Sequence, residues 1–425
     1  MDIKKLHQLY LQSSGISTDT RTLKKNQIYF ALKGENFDGN TYAKKAIENG
    51  ALRAVIDAEN YYQNNCVLVE NTLSTLQRLA NYHRRYLNLP IIAITGSNGK
   101  TTTKKLVLEV LSQKFKVAGT KGNLNNHIGV PLTLLSFDSS IEIGVVEMGA
   151  NHQKEIEALC KIAEPSYGYI TNFGKAHLEG FGGVEGVIKG KSELYEFLIE
   201  ANRKIFINND DEIQINKTLN AKTYSIGQSK LSHCVVSLLE AKPYVKIEVD
   251  GVKIQSQLLG EYNFKNISAA VGIGKYFSVP IKKIQFAIEN FQPEAMRSEL
   301  ITRKSYQIIL DAYNANPTSM KLAIENLNRF DSKKKVAILG DMFEIGESSF
   351  KEHQQLLAYA QSLQLNEILL LGKEFKKASA EFKNIRHFDS VESLIKHLKQ
   401  TDLTDSSILI KGSRGMKLEV ITNEI

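Results

Sequence analysis

The chain has 425 residues, 42% of them hydrophobic and 24% charged, and a formal net charge of +8, values typical of a soluble globular protein of two or three domains. It has no apolar leader, no apolar stretch long enough to span a bilayer and three widely separated cysteines, so we expect a cytoplasmic protein with no membrane span and no disulfide framework. The positive charge suits anionic substrates such as nucleotides, but no arginine- and aromatic-rich stripe is present, so we expect no nucleic-acid partner.

Residues 1–88 predict a small α/β domain. Short apolar runs at 27–32, 53–57 and 66–70 are typical of strands, and the spacing of apolar residues over 73–86 is that of a helix.

Residues 89–292 predict a central domain with a mostly parallel sheet, because apolar strands alternate with helical patterns. The strands are expected at 91–95, 143–148, 167–172 and 204–208. Between 222 and 259 strands follow one another without helices, which predicts an antiparallel edge or subsheet. Helices are expected at 263–276 and 281–290.

Residues 293–425 predict a third domain, a Rossmann-like doubly wound sheet. Its strands are expected at 307–310, 335–339, 367–371 and 407–410, each separated by a helical pattern. The predicted fold class is therefore α/β with three domains.

The segment Thr95-Gly96-Ser97-Asn98-Gly99-Lys100-Thr101-Thr102, here called the phosphate loop, lies between a predicted strand and a predicted helix. Its glycines allow a tight turn that brings backbone N–H groups against phosphate oxygens, so it is a P-loop-type segment. Lys100 can reach the terminal phosphates, and the Thr101 hydroxyl can bind Mg²⁺. The loop is shorter than the Walker A pattern, since Ile94 stands where the first glycine is expected. An ordinary glycine turn is the alternative, but it gives no reason for the Gly-Lys-Thr-Thr run.

Polar residues follow other predicted strands of the central domain. Glu147 lies at the end of one strand, and His177 lies in a glycine-bounded loop after the next. Because the carboxyl ends of parallel strands meet at one edge of the sheet, both side chains are expected to face the crevice beside the phosphate loop. Oxygen ligands such as Glu147 suit Mg²⁺. Lys191 lies in the helix that follows, and from the residues alone it is best explained as part of a solvated helix face.

Further polar segments lie at 260–266, at Arg297, at 311–320 and at 411–416. Asp311 ends a predicted strand and can accept hydrogen bonds from ribose hydroxyls, and the glycine-rich loop at 411–416 could bind an anion. Each of these segments, taken singly, is also explained as a turn.

In this order the segments resemble those of the Mur ligases, the ATP-dependent amide-forming enzymes of bacterial peptidoglycan synthesis. The resemblance covers essentially the whole chain. Its motifs are TGSNGKTTTK at 95–104, EMGA at 147–150, NFGKAHLEGFG at 172–182, DAYNANPTSM at 311–320, LGDMFEIGE at 339–347 and KGSRGM at 411–416. The YNANP loop is typical of the members that join D-alanyl-D-alanine to a UDP-N-acetylmuramoyl-tripeptide through an acyl phosphate. Related ligases, including folylpolyglutamate synthetases, typically have a His-containing loop there.

The resemblance implies a UDP-substrate-binding domain at 1–88, a domain for ATP and two Mg²⁺ ions at 89–292 and a ligase domain at 293–425. It implies that Thr101 and Glu147 bind one Mg²⁺, and that His177 and an N-carbamylated Lys191 bind the second. This reverses the interpretation of Lys191 given above. The implied catalytic residues are Lys100, His177 and Lys191. The implied ATP contacts are Gly96, Ser97, Asn98, Gly99, Lys100, Thr101, Thr102, Asn126, Asn263, Asn266, Arg297, Asp311 and Asn314. The implied UDP-substrate contacts are Ser17, Thr18, Arg21, Lys33, Gly34, Asp38, Gly39 and Asn40, where the family usually has His at the position of Asn40.

Two other functions are compatible with parts of the sequence. A folylpolyglutamate-type ligase would share the phosphate loop and the metals, but the loop at 311–320 argues against it. A non-enzymatic nucleotide- or nucleic-acid-binding protein would explain the phosphate loop and the positive net charge. It would not explain the ordered set of polar residues at the strand ends. We expect a monomeric enzyme.

Overall fold

The structure is a computed structural model that describes residues 2–363, 365–383 and 385–425. Three large sheets follow one another along the chain, accompanied by a three-stranded and a two-stranded sheet. Helices connect most of their strands, so the predicted α/β class is confirmed. Among the described residues, none of the helices has both the length and the apolar character that crossing a membrane requires.

The N-terminal sheet is parallel, with the strand order β1-β2-β5-β6. A hairpin of β3 and β4 follows β2. The strands are β1 (Ile16–Ser17), β2 (Ile28–Phe30), β3 (Lys33–Gly34), β4 (Phe37–Asp38), β5 (Arg53–Ile56) and β6 (Cys66–Leu68), and the helices are α1 (Ile3–Leu11), α2 (Ala43–Glu48) and α3 (Thr72–Leu87). The Asn71 side chain caps α3 by accepting a hydrogen bond from the Ser74 N–H at 2.8 Å.

The central sheet has seven parallel strands in the order β13-β12-β11-β10-β7-β9-β8. These strands are β7 (Ile91–Thr95), β8 (Val117–Gly119), β9 (Ile143–Glu147), β10 (Tyr167–Ile170), β11 (Lys204–Asn208), β12 (Lys222–Gly227) and β13 (Cys234–Val235). An antiparallel sheet of β14 (Ser237–Ala241), β15 (Tyr244–Val249) and β16 (Val252–Leu259) lies beside it. The antiparallel subsheet is confirmed, but β12 and β13 were expected in it and instead extend the parallel sheet.

Helices cover both faces of the central sheet. They are α4 (Lys100–Ser112), α5 (Gly129–Leu134), α6 (Glu155–Ala163), α7 (Leu178–Phe181), α8 (Val184–Glu200), α9 (Glu212–Lys217), α10 (Tyr262–Tyr276) and α11 (Ile281–Asn290). Alternate residues of β7 enter opposite cores: Ile91 and Ala93 pack on the side of α5, α6 and α8, and Ile92 and Ile94 on the side of α4, α10 and α11. A strand buried on both faces explains why 91–95 is a continuous apolar run.

The C-terminal sheet has the order β17-β18-β22-β19-β20-β21, in which only the β17–β18 pair is antiparallel. Helices α12, α13 and α14 pack on one face and α15 on the other, which is the predicted doubly wound arrangement. The strands are β17 (Glu299–Thr302), β18 (Tyr306–Asp311), β19 (Lys334–Gly340), β20 (Glu367–Leu371), β21 (Arg386–Phe388) and β22 (Ser406–Lys411). The helices are α12 (Pro317–Asn328), α13 (Ser349–Ser362), α14 (Lys373–Ala378) and α15 (Val391–Lys399).

The predicted domain boundaries fall in the two connections between large sheets. Residues 88 and 89 lie between α3 and β7, and residues 292 and 293 lie between α11 and β17. The division at these positions stays a prediction.

Candidate active site

The phosphate loop turns sharply between β7 and α4. Gly96 and Gly99 have φ angles of +135° and +81°, a region that L side chains rarely adopt. A Cβ at Gly96 would lie 2.0 Å from Thr171 Oγ1, and one at Gly99 would lie 2.5 Å from Asn266 Oδ1. Glycine is therefore required at both positions by backbone angle and by space, which argues against an ordinary turn.

The turn is fixed from outside by the loop after β10. The Ser97 N–H donates to Asn172 O at 3.0 Å, and the Ser97 hydroxyl donates to Gly174 O at 2.7 Å. Asn98 O accepts from the Thr171 hydroxyl at 2.6 Å. These bonds hold the N-terminus of α4 rigidly, and such an N-terminus is suited to an anion.

Lys100 folds back over this loop. Its ammonium donates to Gly96 O at 2.7 Å and to Ser97 O at 3.2 Å. Burial lowers the pKa of Lys100, partly opposed by the charge of Glu147. The lysine therefore places a positive charge directly beside the predicted phosphate position.

Glu147 ends β9 and is 2% exposed. The Thr101 hydroxyl donates to its Oε1 at 3.3 Å, and the Asn125 amide donates to the same oxygen at 2.8 Å. The Lys104 ammonium lies 3.1 Å from Oε2. Sequence reasoning missed Lys104 and Asn125. The signal for Lys104 was its position one helical turn after Thr101, which puts both side chains on one face of α4.

Thr101 and Glu147 fit a magnesium ion in chemical type. Within the described ranges, no group of three or more His, Cys, Asp or Glu side chains could hold a metal ion by itself. Mg²⁺ is ordinarily bound by one or two carboxylates together with substrate phosphates. A buried carboxylate and a hydroxyl beside a phosphate loop are such a donor set.

His177 lies in the loop after β10, with a φ of +52°. Its Nδ1 is shielded from solvent and lies 2.5 Å from Glu344 Oε2, in the loop after β19, but the two groups are not aligned as a hydrogen bond. Burial lowers the pKa of His177, and Glu344 opposes that shift.

Lys191 is 1% exposed, so the interpretation of a solvated helix face is wrong. Its ammonium donates to Ala150 O at 3.0 Å and lies 4.8 Å from the centre of the Phe181 ring. Burial lowers the pKa of Lys191 well below its ordinary value, and the charge of Lys100 acts in the same direction. The helix pattern could not reveal this, because the chain that covers Lys191 belongs to other elements.

The predicted nucleotide-side residues come from both the central and C-terminal domains. The Asn263 amide donates to Leu259 O, and Asn266 Oδ1 accepts from the Thr103 hydroxyl. Arg297 donates to Thr101 Oγ1 at 3.2 Å. Its guanidinium lies 3.7 Å from the centre of the Tyr313 ring, a stacking partner that sequence reasoning missed.

Asp311 is held on both carboxylate oxygens. Oδ1 accepts from the Ser298 N–H at 3.1 Å, and Oδ2 accepts from the Lys411 ammonium at 2.6 Å. Lys411 also donates to Asp311 O and to Asn314 O. With its three N–H groups used inside the protein, Lys411 orders the loop after β18, and its ammonium is not free for the anion that the glycine-rich loop was expected to bind.

One cavity of about 1310 Å³ brings most of these groups together. The predicted residues that line it are Ser97, Asn98, Gly99, Lys100, Thr101, Thr102, Asn126, Glu147, His177, Asn263, Asn266, Arg297, Asp311 and Asn314. Gly96 and Lys191 lie outside its lining. The size suits a nucleotide and a second substrate.

The predicted UDP-substrate residues lie in the N-terminal domain, outside this lining. They lie at the end of β1 and in the loop after it (Ser17, Thr18 and Arg21), in the β3–β4 hairpin (Lys33, Gly34 and Asp38) and in the 3-10 turn that follows the hairpin (Gly39 and Asn40). Asp57, which sequence reasoning missed, lies 2.9 Å from the Lys33 ammonium and accepts from the Asn40 amide at 2.9 Å. Asn40 is fully buried, and its amide also donates to Asp38. Both amide hydrogens are thus used within the domain.

Family models match most of the chain. They are described as the Mur ligase family, catalytic domain (residues 12–92), the Mur ligase middle domain (94–274) and the Mur ligase, glutamate ligase domain (296–414). The chain is 34% identical to the UDP-N-acetylmuramoyl-tripeptide–D-alanyl-D-alanine ligase of Bacillus subtilis, over 97% of this chain and 93% of that protein. The chain belongs to the Mur ligase family. It is a ligase, as the sequence predicted.

Solved Mur ligase structures resemble it throughout. MurF from Acinetobacter baumannii has a TM-score of 0.89 and 29% identity, covering 99% of this chain and 98% of that one. MurF from Thermotoga maritima in complex with ADP has a TM-score of 0.86 and 26% identity, covering 98% and 97%. These likenesses confirm the predicted three-domain α/β architecture. The roles of the individual site residues stay predictions.

Proposed function

We propose that this Mur ligase joins D-alanyl-D-alanine to a UDP-N-acetylmuramoyl-tripeptide in peptidoglycan precursor synthesis, converting ATP to ADP and phosphate. The observation that carries the proposal is the full-length similarity to the Bacillus subtilis ligase. The cavity supports it, since the phosphate loop there faces polar loops of the C-terminal domain.

The residues of the phosphate loop fit the terminal phosphates of ATP. The N–H groups at the start of α4 and the Lys100 ammonium would bind phosphate oxygens, and Arg297 would approach them from the linker before β17. Asp311, Asn263 and Asn266 would bind on the nucleoside side. We assign one Mg²⁺ to Thr101 and Glu147 and a second to His177 and Lys191. Bound there, Mg²⁺ supplies positive charge that reduces the repulsion between a carboxylate nucleophile and the phosphates.

The reaction then proceeds in two steps. The tripeptide carboxylate attacks the γ-phosphorus of ATP, and the bond from that phosphorus to the oxygen bridging to the β-phosphate breaks. ADP departs, and the tripeptide now carries an acyl phosphate. The amine of D-alanyl-D-alanine attacks the acyl carbon, the C–O bond to phosphate breaks, and the ammonium loses a proton to give the amide. Water would destroy the acyl phosphate, so the close approach of the C-terminal loops to the phosphate loop has a chemical purpose.

A further part of the proposal is that Lys191 acts as a carbamate. The ammonium first loses a proton, and the neutral amine then adds to CO₂ and loses a second proton, so that a cation is replaced by a carboxylate, which is a ligand that Mg²⁺ favours. Support comes from the burial of Lys191 and from its hydrogen bond to a backbone carbonyl rather than to an acid. We also propose that the enzyme works in the cytoplasm, where ATP is present, and as a monomer.

The proposal is tested by incubating the protein with ATP, Mg²⁺, D-alanyl-D-alanine and UDP-N-acetylmuramoyl-tripeptide carrying either lysine or diaminopimelate. Mass spectrometry should detect the UDP-linked pentapeptide, with ADP formed in equal amount. A parallel reaction with a folate and glutamate tests the alternative ligase. Glutamate addition without pentapeptide formation would overturn the proposal.

A further inference from the structure

The motif LGDMFEIGE at 339–347 ends β19 and continues into the loop at 341–348, before α13, and the proposed function assigns no role to it. In the structure this loop crosses from the C-terminal domain to the loop after β10. Glu344 contacts His177 there, and a Cβ at Gly346 would lie 3.0 Å from Glu179 Cβ. A second ion pair, between Lys175 and Glu352 at 2.7 Å, joins the loop after β10 to α13, the helix that follows the loop at 341–348.

The contact is made by two residues in an uncommon backbone conformation. Glu344 has a φ of +60° and His177 a φ of +52°, in the left-handed region that is costly for residues other than glycine. The two left-handed residues together bring a carboxylate against a ring nitrogen that is shielded from solvent.

We propose that Glu344 is a positioning residue for His177, fixing the ring so that Nδ1 carries the proton and Nε2 keeps a lone pair for Mg²⁺. The inference rests on the metal role that the proposed function gives to His177. In the proposed arrangement an Nδ1–H would donate to the Glu344 carboxylate, which only accepts, and Nε2 would be left as the ligand. Metal-binding histidines are commonly oriented by such a carboxylate.

The carboxylate comes from a different domain than the histidine. The C-terminal domain therefore completes the surroundings of a metal ligand in the central domain only when the two segments are in contact. Because linkage is reciprocal, metal binding at His177 should in turn favour the closed arrangement of these domains.

The test is the affinity for Mn²⁺, used as a paramagnetic substitute for Mg²⁺ and measured by electron paramagnetic resonance with a non-hydrolysable ATP analogue present. Glu344→Gly removes the carboxylate while suiting the positive φ, so the melting temperature should not fall. Mn²⁺ binding should weaken by about 10-fold. Glu344→Gln keeps a hydrogen-bond acceptor without the charge, so its Mn²⁺ affinity should lie between those of wild type and Glu344→Gly. Glu347→Gln, on an exposed residue of the same loop, is the matched control and should bind Mn²⁺ like wild type.

Mn²⁺ affinity unchanged by Glu344→Gly would overturn the positioning role, and so would an equal loss in Glu347→Gln. If wild type forms the pentapeptide and either of these two Mn²⁺ results is found, the positioning role of Glu344 is wrong but the proposed ligase function stands. If wild type binds no Mn²⁺ with the nucleotide, the metal assignment beneath it is wrong as well.

Discussion

Three lysines near the cavity are almost fully buried, and each has a different partner. Lys104, Lys191 and Lys411 are 1%, 1% and 2% exposed. Lys104 pairs with Glu147, and Lys411 pairs with Asp311. The hydrogen bond of Lys191 runs to a backbone carbonyl. Among the described residues no carboxylate pairs directly with Lys191, although the charges of Glu155 and Glu193 act on it from further away. A buried ammonium without a direct anionic partner is costly, so the environment of Lys191 favours a change of its charge.

The substitution Lys191→Ala should reduce ligase activity by about 10²-fold, which is the loss seen when one group that stabilises developing charge is removed. A short-chain carboxylic acid added to the medium should restore part of the activity by occupying the vacant space. Lys191→Arg should stay inactive, because a guanidinium cannot supply oxygen ligands. Full activity of Lys191→Arg in the coupled ADP assay would show that the carbamate assignment is wrong.

The substitution Lys100→Ala should lower the turnover rate at least ~10²-fold, because the terminal phosphates of ATP lose a fixed positive charge. Lys114→Ala, at an exposed lysine beyond the C-terminal end of α4, is a control that should leave phosphate release unchanged. Phosphate release by Lys100→Ala close to that of wild type would refute the assignment of the phosphate loop.

At the scale of elements, two helices of the C-terminal domain begin with the same device but have different surroundings. The side chains of Asn316 and Ser390 each accept a hydrogen bond from the backbone N–H three positions on, and the backbone N–H of each donates to the hydroxyl of that same residue, so both α12 and α15 have a capping box. Asn316 alone of this pair also donates across the domain interface, to Asn98 Oδ1 at 2.8 Å. One cap therefore joins the start of α12 to the phosphate loop.

Asn316→Ala and Ser390→Ala should lower the free energy of unfolding by similar amounts, about 1 kcal/mol each. Only Asn316→Ala should also raise the KM for ATP, since Asn98 loses its partner from the C-terminal domain. Urea denaturation and steady-state kinetics measure the two effects. An equal KM for ATP in both variants would mean that the Asn98–Asn316 contact has no functional consequence.

The elements themselves could largely be predicted, because apolar periodicity and turn residues are local. The strands at 91–95, 204–208 and 367–371 and the helix at 281–290 have the predicted bounds. Strand pairing is not local, which is why β12 and β13 were assigned to the wrong sheet. The burial of Lys191 and the contact of His177 with Glu344 also depend on distant segments. The phosphate loop was found because its glycines, lysine and threonines are adjacent in sequence.

At the scale of the whole molecule, the N-terminal domain docks on the central domain through buried polar contacts. His83 of α3 makes the contact with the central domain, with its Nε2 2.9 Å from Phe137 O, and His7 of α1, in the same N-terminal domain as His83, lies 3.0 Å from His83 Nδ1. A carbonyl only accepts, so His83 carries its proton on Nε2 and accepts from His7 through Nδ1. Tyr10 donates to Leu135 O beside them. The bond between the two rings requires His83 to be neutral, because its Nδ1 accepts, and burial favours the neutral form of His7 as well.

Acid should therefore weaken this junction. Burial and the neighbouring His83 lower the pKa of His7 from 6.5 to about 4. Between these values the unfolded chain binds a proton that the folded chain does not, so stability present above pH 6.5 is lost as the pH falls towards 4. A shift of this size corresponds to about 1–3 kcal/mol once relaxation of the interface is allowed for. His7→Gln keeps a donor for His83 but does not titrate. Urea unfolding at pH 7.5 and pH 4.5 should show a smaller acid-induced loss for His7→Gln than for wild type, and equal losses would show that the histidine pair does not control how the N-terminal domain docks.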